Sequence, residues 1–204
     1  MFRFKVYFRK DVDLASCNII GIGETWLQHD ENEPPLPSQY GAQFLNDTDG
    51  KGLAVLYKKI DIPNMVDFSI FRGAYSMMKL ELSGVEIVFL YISGKIGFEL
   101  YKKDLIRMIG ASNKPLALIG DVNWHYPKHH AMKDYMIRRG FKQLSLFPTH
   151  RQGNILDHIY VNQKLLDFEG GIEVHQKPVF FTDHDSMYLK LKRITTTQSR
   201  PQHV

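Results

Sequence analysis

The chemistry this chain offers rests on four short acidic segments. Glu24 closes the apolar run IIGIG (19–23), Asp121 and Asn123 follow LALIG (116–120), and Asp183 with His184 follows VFFT (179–182). Each stands where a buried strand would run out into a loop. Asp157, in NILDHIYVN (154–162), has apolar residues on both sides and is expected within a strand. Carboxylates and amides gathered at strand ends make a hard-oxygen site suited to Mg²⁺ or Mn²⁺. A single acid at a strand end is an ordinary turn residue. Four such segments in one chain argue instead for a shared centre.

Within that centre the residue types divide the work. Asp121 and Asn123 are two apart, so on an extended backbone both point to one side. A carboxylate and an amide there could orient a water and hold a phosphate oxygen; the competing reading is an Asx-turn that closes the strand. The imidazole of His184, beside carboxylates, can be charged near neutral pH and stabilise a pentavalent phosphate. Asp157, in an apolar strand, needs a partner, and His184 is a natural one. His158 should face the opposite side of its strand in a structural role. His129 and His130, beside Lys128 at a helix start, read as a solvated basic face.

The elements that must position these groups follow from periodicity. Strands are expected at 19–23, from the glycines at 50–52 to residue 60, at 116–120, 155–161 and 186–192. MMKLELSG (77–84) and VEIVFLYIS (85–93) meet at Ser83-Gly84 as a hairpin. FELYKKDLIRMIG (98–110) and HHAMKDYMIRRG (129–140) have helical spacing and a closing glycine. DENEPPLPSQ (30–39) is a proline-rich loop. The fold class is α/β (α+β): a four-layered sandwich of two packed mixed β-sheets flanked by helices, spanning residues 1–193, with a polar tail at 194–204.

Composition narrows the partners. At 204 residues and 44% hydrophobic content the chain suits one globular domain. Its apolar runs are strand-sized, well short of the roughly 20 residues of a membrane helix, so no membrane partner is expected. Cys17 is the only cysteine, which excludes an internal disulfide and a cysteine-rich zinc site. An intracellular location, the nucleus included, is compatible with that. The net charge of +4 tilts the protein toward polyanions, nucleic acid among them.

Taken together, the segments resemble the endonuclease/exonuclease/phosphatase superfamily. ETWL is similar to its metal-binding Glu motif, GDVN to its GD-x-N, LDHIYV to its LD-x-(I/V) strand and TDHD to its terminal S-D-H. GIGETWL, GKGLAVLYKK and GNILDHIYV are closest in wording to the endonuclease domains of non-LTR retrotransposons and Helitron-associated endonucleases. The resemblance covers about residues 11–192. It implies a metal-dependent phosphodiesterase, a DNA endonuclease of mobile-element type. Glu24 would bind Mg²⁺ and Asp183 would assist the metal or water. Asp121 would orient or deprotonate the attacking water, Asn123 would hold the phosphate, and Asp157 would orient His184. Tyr91 matches a phosphate-contacting tyrosine, although the proline-containing sequel is here SGK. The resemblance also implies a first strand ending in Asn followed by a helix; FRFKVYFRKDVDLASC (2–17) looks like that helix, and the strand is missing, which implies a poorly soluble, weakly active chain. The alternatives are an inactive nucleic-acid-binding remnant and a small-molecule phosphatase of the same fold.

Overall fold

The computed structural model describes residues 15–25, 36–45, 52–61, 64–71, 74–110, 112–126, 128, 130–168, 171–179 and 182–191. The helix expected over 2–17 lies outside them except for Ala15 and Ser16, which are helical, and Cys17, which is not. The expectation of a missing first strand, His129 and the 194–204 tail also lie outside, as does most of the proline-rich loop.

A six-stranded sheet forms the floor of the site. Its order is β4 (Asn64–Phe71), β5 (Tyr75–Leu82), β6 (Val85–Ile92), β7 (Leu116–Asp121), β9 (Asp157–Val161) and β8 (Lys142–Gln143). The β5–β6 hairpin turns at Ser83 and Gly84, both at positive φ (53° and 80°), which matches the right-handed twist of its strands. β6 and β7 are parallel and therefore need a crossover, supplied by helix α1 (Phe98–Ile109). β9 returns antiparallel to β7. The C-terminal ends of β6 and β7 and the N-terminal end of β9 thus share one edge of the floor.

Alternation along the strands gives this sheet two apolar faces. One carries Val88, Leu90, Leu118 and Tyr160 against Tyr101, Leu105 and Met108 of α1 and Met132 and Met136 of α2 (Ala131–Arg138). Leu105 and Met108 are fully buried, and each such side chain contributes about 1.5–3 kcal/mol of burial. The helix α1 stops at Gly110, whose φ of 27° leaves the helical basin. His130 caps α2, its Nδ1 accepting from Met132 N at 3.2 Å, and stacks on Trp124; it is a structural cap and not a solvated face.

The other face carries Leu80, Phe89, Ile119, Ala117 and Ile159 and is covered by two smaller sheets. One has the order β1 (Ile19–Gly23), β3 (Leu53–Lys58), β2 (Tyr40–Leu45); the other pairs β10 (Ile172–Lys177) with β11 (Ser186–Leu191). Both are antiparallel. The sandwich is as expected, but only the six-stranded sheet is mixed: among the described residues the covering layer contains no parallel pair. A short helix, α3 (Gln163–Leu166), follows β9. No helix of the described residues is long and apolar enough to cross a membrane.

The first glycine of IIGIG has a packing reason. Gly21 lies over Phe89, where a Cβ would come within 2.2 Å of the ring, and Gly23 lies over Tyr91. The missing side chain of Gly21 lets β1 settle directly on β6, which brings the residue after β1 down to the end of that strand.

Candidate active site

Three rungs of the floor line up where the shared edge opens. Tyr91 is opposite Asp121, and Asp121 is opposite Asp157. Directly paired residues project to the same face, here the one under the smaller sheets. Asp157 is therefore the first residue of β9 and not a mid-strand residue. The segment before it leaves the ladder, because Leu156 O and Ile155 O accept from Val122 N and Tyr126 N of the loop after β7. This shift brings the two aspartates together at one end.

Each rung holds one group from a loop. The Tyr91 hydroxyl donates to Glu24 Oε1 at 2.7 Å. Asp121 accepts from Asn123 twice, at 2.8 Å each, from the backbone N–H and from Nδ2. Asp157 Oδ2 lies 2.8 Å from His184 Nδ1. Glu24 (φ 49°) and Asn123 (φ 53°) both occupy the left-handed region, which costs each about 1 kcal/mol or more and clusters at functional sites. Asn123 reaches Asp121 by this Asx-turn and not by strand alternation: the chain reverses one residue after β7. Its two amide hydrogens go to Asp121 and Ile92 O, so its phosphate-holding role would require one of them to let go.

The electrostatics follow from the crowding. Burial, the charge of Asp157 and that of Glu24 push the Asp121 carboxyl up to about 7, against the pull of His184 and the Asn123 N–H. The hydrogen bond that His184 donates to Asp157 and the charges of Asp157, Asp121 and Asp183 push the His184 imidazole up to about 9, against burial. Asp183 is more exposed. Burial raises it, but the His150 hydrogen bond and the charges of His150 and His184 outweigh this and hold it low. The Tyr91 phenol is raised by burial and by its bond to Glu24.

Glu24, Asp121, Asn123, Asp157, Asp183 and His184 all line one cavity of about 1690 Å³ bordered by β1 and β11. Tyr91 reaches it through Glu24. Donor atoms of Asp121, Asp157 and His184 lie within 4.8 Å of one another, as do those of His150, Asp183 and His184. His184 answers only part of the negative charge, since Asp121 still stands at about 7. Carboxylates that crowd one another in this way, offering hard oxygens, fit a divalent cation such as Mg²⁺ or Mn²⁺.

His158 lies on the helical face, fully buried, with Nε2 on Ile155 O at 3.2 Å and burial pushing it down to about 4; its role is structural. Thr149 and His150 are the groups that the sequence reading missed. Thr149 Oγ1 accepts from Leu156 N and Asp157 N, and His150 Nε2 lies 3.1 Å from Asp183 Oδ2. The only signal in PTHRQGN is a turn composition, which says nothing of what the turn touches.

The chain has the endonuclease/exonuclease/phosphatase fold. The endonuclease domain of TRAS1, a telomere-specific non-LTR retrotransposon, superposes with a TM-score of 0.61 at 17% identity, over 93% of this chain and 89% of that one. NExo from Neisseria, a 3′ phosphatase bound to product DNA hairpin, gives 0.69 at 14% identity, over 93% and 96%. An endonuclease/exonuclease/phosphatase family protein from Leptotrichia buccalis gives 0.58 at 12%, over 95% and 94%. No protein-family model matches the sequence, and the comparison with curated proteins finds no match.

Proposed function

We propose that this protein is a metal-dependent phosphodiesterase that cleaves the backbone of nucleic acid, DNA in particular, as an endonuclease of mobile-element type. The observation that carries the reading is the Asp157–His184 pair, at 2.8 Å, beside Asp121 and in one cavity with Glu24 and Asp183. Glu24 and Asp183 would hold Mg²⁺ or Mn²⁺, which would supply Lewis-acid charge to the phosphate. Asp121 takes the proton of the attacking water as general base, with Asn123 fixing its carboxylate. His184, kept charged by Asp157, uses Nε2 to stabilise the charge that develops on the phosphoryl oxygens. The net charge of +4 favours a polyanionic substrate, and the TRAS1 and NExo likenesses suggest DNA.

Plasmid nicking with Mg²⁺ or Mn²⁺ tests this. Relaxed circles that form with metal, and vanish with EDTA or in Asp121→Asn, support it. An intact plasmid at every metal concentration, alongside release of phosphate from a 3′-phosphorylated oligonucleotide, would instead favour a phosphatase of the same fold.

A further inference from the structure

We propose that His150 is a positioning residue for this site: it donates Nε2–H to Asp183 Oδ2 and so fixes the carboxylate through which the TDHD loop acts. The inference rests on the phosphodiesterase reading only for what Asp183 does; the placement of Asp183 is argued from bonds within the chain.

Asp183 lies on a loop, and its side chain is 61% exposed, while that of His150 is 11% exposed. An exposed carboxylate samples several rotamers unless a rigid donor selects one. The segment 149–151 is rigid for its length. Thr149 N and His150 N both donate to Asn154 O, at 2.9 and 3.0 Å, and Gly153 N returns to His150 O at 2.8 Å, which closes a tight turn. That turn is bonded to both acidic loops. Thr149 Oγ1 takes the N–H groups of Leu156 and Asp157. Arg151 N donates to Asp183 O at 3.0 Å and Asp185 N to Thr149 O at 2.7 Å, around a bridge between His150 and His184. One short strap therefore holds Asp157, Asp183 and His184 in a common frame. The His150 ring stands edge-on to that of His184, with centroids 4.9 Å apart.

The rival role is a third ligand in a His150–Asp183–His184 metal group. The bonds of the ring decide against it. His150 Nδ1 accepts from Gln152 N at 3.2 Å, so in the neutral ring the proton is on Nε2 and points at Asp183. A metal on Nε2 would need the proton on Nδ1, where the Gln152 N–H already points. The backbone selects the donor tautomer.

Long-range ¹H–¹⁵N spectra of the metal-free protein read the tautomer directly. The Nε2–H form is expected for His150; the Nδ1–H form overturns the proposal whether or not the protein cleaves DNA. Mn²⁺ affinity, measured by EPR, supplies the second arm. His150→Phe keeps the ring and loses the donor, and is expected to weaken Mn²⁺ binding about 10-fold, in the range seen for groups that orient metal ligands. His150→Gln keeps an N–H donor and should stay within about threefold of wild type. Equal losses in the two variants would assign His150 to packing alone. A wild-type protein that shows the Nε2–H tautomer and binds no Mn²⁺ would refute the metal reading of the site and leave the donor bond standing.

Discussion

The groups of the site arrive by two routes. Tyr91, Asp121 and Asp157 are rungs of the six-stranded sheet, placed by the β6–β7 and β7–β9 registers. Glu24, Asn123 and His184 hang on loops, and each is caught by one rung through a side-chain hydrogen bond. The difference lies in what each kind of position can bear. Tyr91 and Asp121 have a paired strand on both sides, and Asp157 has β7 on one side and the Thr149 hydroxyl on its N–H, so the floor can keep two carboxylates facing each other at the cost of raising one to about 7. A loop group has no ladder behind it, and its side-chain bond to a rung is what aims its functional atoms. Rung substitutions should therefore alter chemistry and leave the geometry standing, whereas loss of a catch should let a loop group wander.

The sharpest test of the rung side is Asp121→Asn. Loss of the general base should reduce cleavage by about 10³-fold or more, while Mn²⁺ binding and fold survive. Stability should move the other way. The folded-state pKa of Asp121 is raised, so its ionisation opposes folding: the penalty is absent below about pH 4, grows as pH rises, and is complete above about 7. The variant should match wild type in melting temperature at pH 4 and exceed it at pH 8. An equal or lower value at pH 8 would show that the rung carries no strain.

Asp157→Asn separates the two routes, because it keeps the rung and weakens the catch. Wild-type activity should trace a bell, rising through about 7 as Asp121 gives up its proton and falling through about 9 as His184 loses its own. Bound metal moves the rising limb lower. Without the Asp157 charge both groups titrate lower, so the bell should shift to lower pH and the maximum fall by about 10²-fold. Mg²⁺ affinity by calorimetry should be kept. Its loss would make Asp157 a direct ligand.

How much of this could be read from the residues depends on what fixes each one. Glu24, Asp121, Asp157 and the Asp183–His184 pair were legible because an apolar run next to an acid is a local pattern. The β5–β6 hairpin and α1 were legible for the same reason, through Ser83-Gly84 and helical spacing. β2, β4, β8 and β10 were not: Tyr40–Leu45 and Ile172–Lys177 alternate weakly, and partner strands far along the chain decide their state. The position of Asp157 at the start of β9 and the strap at Thr149–Arg151 rest on hydrogen bonds to β-bridge and loop partners that composition does not encode. Gly21 was visible as a residue and silent as a cause until Phe89 was seen beneath it.

Gly21→Ala probes how closely β1 must lie on the floor. The added Cβ would meet the Phe89 ring at 2.2 Å, so β1 has to lift or the ring has to leave its place. Overpacking of this kind costs about 1–3 kcal/mol, readable as a lower urea midpoint with unchanged slope. Activity at saturating metal should fall less than in Asp157→Asn, because Glu24 is displaced and the base and the imidazole are not. An unchanged midpoint would mean that the close approach of β1 is not needed.

Tyr91→Phe should have the smallest effect, and it tests the catch alone. The ring remains buried on its rung, and only the hydroxyl that donates to Glu24 Oε1 is lost. Glu24 keeps its left-handed backbone and the Thr25 N to Gly52 O bond behind it, so it is loosened and not released. One hydrogen bond to a charged group is worth about 1.5–3 kcal/mol when fully buried. At this solvent-lined edge the loss should be nearer 1 kcal/mol, which is about fivefold in Mg²⁺ affinity. The maximal rate at saturating Mg²⁺ should stay within about twofold if Tyr91 acts only on Glu24. A large fall in the saturated rate with unchanged metal affinity would instead assign the hydroxyl to the phosphate, and the catch would then belong to Asn123 and His184 alone.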